Sequence, residues 1–241
     1  RLLQGDVGSG KTIVAAIAVM AAVLAGYQVA LMAPTEILAA QHAEKLAKVF
    51  SGTHVEVALL TGALTAKQHD QLAKAIKAGD VNLIVGTHAL IQNGVDYANL
   101  GLVIIDEQHR FGVNQRQQLR EKGEHPDVLA MTATPIPRTL AITAYGEMDV
   151  SVIDELPAGR QPIKTTWLKG NQGQSALDFL DQQLRVGAQA YVVSPLIEES
   201  ENLDVKNATD LYARFKEHFG PTYQVGLLPG RMNNDEIAAV M

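Results

Sequence analysis

Eight consecutive residues, Gly5-Asp6-Val7-Gly8-Ser9-Gly10-Lys11-Thr12, fit the spacing G-x-x-x-x-G-K-[ST], and the apolar run Gly101-Leu102-Val103-Ile104-Ile105 ends in two adjacent carboxylates, Asp106 and Glu107. These residue types suit phosphoryl transfer. Glycines let backbone N–H groups turn inward around phosphate oxygens, and the start of a helix adds partial positive charge. Lys11 can reach the β and γ phosphates and Thr12 offers a hydroxyl to Mg²⁺. A buried strand aims its last side chains at such a loop, so Asp106 can hold the metal's shell while Glu107 polarises the attacking water. Alone, the first string reads as a glycine-rich turn and the second as an acidic strand cap; each weakens that plain reading of the other. ATP and Mg²⁺ are the expected ligands. Gly5, Asp6, Val7, Gly8, Ser9, Gly10, Lys11 and Thr12 are expected around the nucleotide, Thr12 and Asp106 at the metal, and Lys11 and Glu107 in the chemistry.

Positioning these groups requires strands that end at the loop and helices that begin beside it. Apolar runs bounded by glycine, proline or polar turns alternate with helical stretches, the rhythm of a parallel sheet. The pattern predicts strands at Val29–Ala33, Val55–Leu60, Asn82–Gly86, Leu102–Asp106 and Val128–Thr132. Helices are predicted at Lys11–Ala25, Glu36–Phe50, Ala66–Ala78 and Val113–Lys122, three of them closed by Gly26, Gly79 and Gly123. The expected class is α/β, a doubly wound parallel sheet. Beyond Val150–Ile153, the segment Asp154 to Pro162 has linker character. The expected division is residues 1–157 and 158–241, with the alternation resuming at Thr165–Leu168, Ser175–Arg185, Ala190–Ser194, Asn207–Phe219 and Val225–Leu228.

Composition agrees with this class. A hydrophobic share of 47% with only 5% aromatics suits aliphatic parallel strands buried between helices. The formal charge of -6 argues against a protein that coats nucleic acid through a bulk positive field, while leaving a local basic groove open. With no cysteine there are no disulfides, thiolate nucleophiles or sulfur-bound zinc, which fits a reducing compartment and makes cytoplasm the expectation. The run Ile13–Ala25 imitates a signal-peptide core, but it follows a phosphate-loop pattern and is too short to span a bilayer, so a buried helix is expected. The chain begins at Arg1 without Met and runs straight into Leu2-Leu3, as a piece of something longer would.

Further strings carry a family resemblance. Asp106-Glu107-Gln108-His109 resembles motif II of superfamily-two helicases, Thr132-Ala133-Thr134-Pro135 motif III, Ala33-Pro34-Thr35-Glu36 with Gln41-His42 motif Ia, Thr61-Gly62 the glycine doublet that follows, and Gly86-Thr87-His88 motif Ib. The order is also the family's. The longer strings Asp106 to Val113, Met131 to Ala141 and Ser151 to Pro157 are similar to the bacterial RecG helicases, and the resemblance covers essentially the whole chain. It implies one complete RecA-like domain and part of a second, in an ATP-driven translocase on double-stranded DNA that remodels stalled forks and junctions in recombination and repair. It further implies branched or duplex DNA as partner, no membrane, and a monomer. DNA contacts would fall at Pro34, Thr35, Gly62, Gly86, Thr87 and His88. His109 would join the catalytic set, reporting nucleotide state through Thr132 and Thr134. Pro229 stands where the family pattern has a histidine before Gly230-Arg231-Met232.

Plainer readings stand beside these. Thr35 before Glu36 is also a good helix N-cap, and a histidine near a sheet edge is commonly a satisfied polar side chain. Arg110, Arg116, Arg120 and Lys122 suit a solvated helix face as well as a DNA contact. A transcription-repair coupling translocase shares the phosphate loop and the His-Arg-Phe-Gly-Val string, though Gln108 and the run Ile153 to Pro157 favour RecG. Guanine-specific and transporter-type signatures are missing from the sequence. A third reading is nucleotide binding without turnover, because motifs V and VI and their arginine finger are expected beyond Met241, while the wedge that reads junctions in the resembled family is expected upstream of Arg1.

Overall fold

A computed structural model describes residues 1–92, 94–107, 111, 113–134, 148–155, 159, 162–169, 172–194, 201–228, 232 and 240. The chain divides into two compact units, Arg1–Gln161 and Pro162–Met241.

The first unit is built on seven strands: β1 (Leu2–Gly5), β2 (Gln28–Met32), β3 (Val57–Leu60), β4 (Leu83–Gly86), β5 (Leu100–Ile105), β6 (Asp127–Thr132) and β7 (Val150–Ile153). They pair in the order β3-β4-β2-β5-β6-β1-β7, every ladder parallel. Among the described residues this unit carries four helices: α1 (Lys11–Leu24), α2 (Glu36–Val49), α3 (Ala66–Ala78) and α4 (Val113–Arg120). A 3-10 turn at His88–Ile91 follows β4.

Alternation along the strands sorts the core into two layers. Val29, Leu31, Leu102 and Ile104 pack with Ala15, Val19, Ala39 and Leu46 of α1 and α2 on one face. Ala30, Met32, Val103 and Ile105 pack with Ile76, Leu90 and Leu119 on the other. Both faces are covered, as a parallel sheet requires. The helix α1 is buried only along Ala15, Ala16, Val19 and Val23, whereas Ile13, Ile17 and Leu24 are exposed. The expectation of a buried helix thus holds for one stripe, because an i, i+4, i+8 face meets the sheet and the opposite face does not. None of the helices among the described residues is long and apolar enough to cross a membrane.

Predicted and observed elements differ mostly at their ends. Residue Gln28, left outside the predicted strand, opens β2 and is 4% exposed. Its amide Nε2 donates to Ile76 O and Val81 O at 2.9 and 2.8 Å, and its Oε1 accepts from Ala98 N and Asn99 N at 2.7 and 3.1 Å. All four amide positions are satisfied, and α3, β4 and β5 are tied together where the strands begin.

Among its described residues the second unit carries the helices α5 (Gly173–Arg185) and α6 (Glu201–Phe219). No strand occurs among its described residues, so the strands expected at Thr165–Leu168, Ala190–Ser194 and Val225–Leu228 are corrected to irregular backbone. Aliphatic and aromatic residues there supply propensity, but a parallel strand exists only through ladder bonds to a neighbour. Residues Trp167 and Val193, 86% and 87% exposed, have no such support.

Replacing Gln28 by Met keeps the volume and orphans two carbonyls and two amides. The expected cost is about 2–4 kcal/mol of unfolding free energy, read from urea titration of the wild type and Gln28→Met.

Candidate functional site

Because the ladders are parallel, all seven strands deliver their last residues to one edge. Register places Leu60, Gly86, Met32 and Ile105 side by side, with Gln4 beside Thr132 and Gly5 beside Ile153. From that edge β1 leads into the glycine loop, β5 into Asp106, and β6 ends at Thr132. The strand β6 separates β1 from β5, so the loop and the carboxylates stand about 10 Å apart, two strand spacings.

The loop is closed by its own backbone. The amide of Ser9 bonds Asp6 O at 3.1 Å, and Val7 N donates to Asp6 Oδ1 at 2.7 Å. Residue Gly10, the N-cap of α1, has φ 98° and gives the helix no side-chain cap. A left-handed backbone there suits glycine, and the first N–H groups of α1 are left without a side-chain acceptor. The ammonium of Lys11 donates to Gly5 O at 2.7 Å and Asp6 O at 2.9 Å, folded over the loop. The hydroxyl of Ser9 is buried with no hydrogen-bond partner among the described residues. A Cβ on Gly5 would stand 2.6 Å from that oxygen and 3.1 Å from Ile153 Cβ, so a larger residue there would displace the Ser9 side chain. A helix start without a side-chain cap, an orphaned hydroxyl and a cation resting on carbonyls fit a phosphate chain.

The acidic pair is held as tightly. The amide of Asp106 bonds Met32 O at 2.9 Å, continuing the ladder one residue past β5. The next residue, Glu107, turns to φ 48°, the one positive φ among described non-glycine residues. That conformation costs about 1–3 kcal/mol and aims the Glu107 amide at Asp106 Oδ1, 3.0 Å away. The second oxygen, Oδ2, accepts from His42 Nε2 at 2.6 Å. Each carboxylate oxygen keeps a lone pair for a metal shell. Thr12, in the first turn of α1, is the hydroxyl on the loop side. These residues fit a magnesium-bound nucleotide.

The remaining positions lie on the other half of the same edge, beyond β2, β4 and β3. Residues Pro34 and Thr35 follow β2, Gly62 follows β3, and Thr87 and His88 follow Gly86 at the end of β4. The exposed Thr35 is the N-cap of α2, its hydroxyl accepting from Leu38 N at 3.3 Å. A Cβ on Gly62 would meet Glu36 Oε1 at 3.3 Å, which sets Gly62 beside the start of α2. A Cβ on Gly86 would collide with Leu60 O, so close strand packing already demands that glycine. Buried Thr87 and exposed His88 follow, with His88 hydrogen-bonded to Gln115 and tilted against the ring of Phe111. Buried Thr132 accepts from Thr134 N at 3.1 Å.

Some expected residues fall elsewhere. Lys122, grouped by sequence with possible DNA contacts, donates to Gln92 O and Val95 O at 3.0 and 2.9 Å and holds a loop. The positions Gln108, His109, Arg110, Pro135 to Ala141, Pro229, Gly230 and Arg231, and the side chain of Arg116, lie outside the described residues. The residue that sequence reasoning missed at the carboxylates is His42. Its spacing from Ala39 and Leu46, both buried on α2, marked it as facing the sheet.

Comparison with known proteins agrees with this geometry. Residues 1–142 match the DEAD/DEAH box helicase model. The chain is 60% identical over 241 residues to the ATP-dependent DNA helicase RecG of Streptococcus pneumoniae serotype 4, covering 100% of this chain and 36% of that protein. Against the RecG of Bacillus subtilis it is 57% identical, covering 35% of that protein. The chain therefore spans about a third of the length of these curated relatives. A structure of RecG bound to a three-way DNA junction superposes with a TM-score of 0.72 and 43% identity over 90% of this chain and 28% of the other. The RNA-bound Mss116p structure, with a TM-score of 0.68 at 15% identity, shares the fold alone. The fold is RecA-like.

Proposed function

The chain belongs to the DEAD/DEAH box helicase family, and from that premise we propose that it is the ATP-hydrolysing motor of a DNA helicase that translocates on duplex DNA and remodels branched DNA in recombination and repair. The reading assigns the ATP-binding domain to residues 1–157 and the start of a second RecA-like domain to residues 158–241, in a cytoplasmic protein. The observation that carries it is the single sheet edge that holds a phosphate cradle at one end and a row of Thr, Gly and His positions at the other. The similarity to RecG proteins, one of them seen on a three-way junction, supports branched DNA as the track.

In this reading Lys11 exchanges Gly5 O and Asp6 O for the β and γ phosphates, and the loop amides with the first turn of α1 hold the remaining oxygens. Thr12 and Asp106 would hold Mg²⁺, which when bound would supply neutralisation of the phosphate charge. The left-handed turn at Glu107 sets its carboxylate past the strand end, where it orients the attacking water and accepts its proton. Two residues further on, His109 carries nucleotide state toward Thr132 and Thr134. On the DNA side, Pro34, Thr35, Gly62, Gly86, Thr87 and His88 form a line of small and polar groups suited to backbone phosphates. Such contacts position a track without reading its sequence.

Two outcomes follow for the whole protein. Glu107→Gln keeps nucleotide affinity within about threefold and lowers turnover by about 10²–10⁴, while Lys11→Ala weakens both, in steady-state hydrolysis and nucleotide titration. Comparable turnover in Glu107→Gln and wild type removes Glu107 from the chemistry. Affinity for unrelated duplexes of equal length is expected to agree within a few-fold at matched salt and to fall steeply as salt rises. A strong sequence preference with little salt dependence contradicts phosphate-directed binding.

A further inference from the structure

The contact between His42 and Asp106 joins two halves of the sheet edge that the assignments above treat separately. Strand alternation explains one partner: Leu102 and Ile104 face the layer that holds α1 and α2, so Asp106, two residues on, points to that same side. Helical periodicity explains the other. Ala39 and Leu46 are fully buried on α2, and His42 lies three residues after one and four before the other, on the same stripe. The two side chains, 14% and 13% exposed, meet at 2.6 Å. An ionised carboxylate only accepts, so Nε2 carries the hydrogen and donates to Oδ2. With the Glu107 amide on Oδ1, both oxygens of Asp106 are fixed and the carboxyl group cannot rotate freely.

The same helix begins at Thr35. Seven residues, about 10 Å along the axis, separate this N-cap from His42. The backbone between them is continuous helix, and Ala39 seats it on the sheet. A phosphate engaged at the start of α2 therefore acts on a rod whose second turn holds the metal-side carboxylate.

We infer that His42 is the positioning residue for Asp106, and that through it the helix α2 links DNA contact at Thr35 to the geometry of the metal shell. The inference rests on the proposed motor reading and deepens it. His42 acts through Asp106. Groups hydrogen-bonded to metal-side ligands in this way commonly govern metal affinity by 10–100-fold when removed.

The test uses the whole protein with His42→Leu, His42→Asn, His42→Gln and Lys11→Ala. Mn²⁺ binding in the presence of ADP is read from the electron paramagnetic resonance of free Mn²⁺, and ATP turnover is measured with and without blunt duplex DNA. In His42→Leu and in His42→Asn, whose amide is too short to reach, Mn²⁺ affinity falls by about 10–100-fold. In both, the ratio of DNA-stimulated to DNA-free turnover falls toward one. In His42→Gln, whose amide reaches about as far as Nε2, both properties recover to within a few-fold of wild type. Equal losses in His42→Gln and His42→Leu indicate a packing role only and overturn the inference, as does unchanged Mn²⁺ affinity in His42→Leu or His42→Asn. Lys11→Ala separates the two levels. If it weakens ADP binding while the His42 variants behave as wild type, the role of His42 alone fails; if it leaves ADP binding intact, the nucleotide site itself is misassigned and the inference falls with it.

Discussion

Parallel pairing is the constraint on which the rest of the structure depends. In an antiparallel sheet neighbouring strands would carry their last residues to opposite edges, and Thr132 at the end of β6 could not share an edge with the glycine loop after β1 and Asp106 after β5. Here every ladder is parallel, so residues far apart in sequence arrive on one line in an order set by strand position. Strand β6 between β1 and β5 leaves a gap of about 10 Å between phosphate loop and carboxylates, wide enough for a phosphate chain and a metal. The neighbouring β2, β4 and β3 continue the line with residues of a different kind, small or hydroxylated. The opposite edge does structural work, as the four bonds of Gln28 illustrate.

Local strain and unmet hydrogen bonding concentrate where the proposed chemistry lies. The hydroxyl of Ser9 is buried without a partner, the start of α1 lacks a side-chain cap, and Glu107 takes a left-handed backbone. Each feature costs free energy in the protein alone, and a bound phosphate chain offsets the first two by supplying acceptors. By contrast, Thr35 caps α2 and Thr65 completes a capping box on α3, so the starts of those two helices are satisfied by their own side chains.

Much of this was legible in the sequence because it is local. The spacing of Gly5 to Thr12, the carboxylates ending an apolar run, and the bounds of α3 follow from patterns spanning a dozen residues. What escaped depends on distant partners. The pairing of His42 with Asp106 spans 64 positions, and a histidine on an apolar helix stripe does not reveal which group satisfies it. Gln28 was left outside the strand predicted from Val29, since its four partners come from segments 48 to 71 positions away. The same limit explains the strands expected at Thr165–Leu168, Ala190–Ser194 and Val225–Leu228, whose residue types are right and whose ladder partners are not among the described residues. Lys122 was misread in the opposite sense, as a surface charge, because the carbonyls it serves belong to a loop about 30 residues earlier.

The central claim is that one edge is divided into a nucleotide end and a DNA end. Amide hydrogen exchange of the whole protein tests it most directly, with a non-hydrolysable ATP analogue and Mg²⁺ in one arm and duplex DNA in the other. The account predicts that the nucleotide slows exchange across residues 5–14 and 105–107, and that DNA slows exchange at residues 35–38, 61–64 and 87–90 even without nucleotide. DNA protection confined to the strand starts around Gln28 and Asn99, with residues 35–38, 61–64 and 87–90 unchanged, would contradict it.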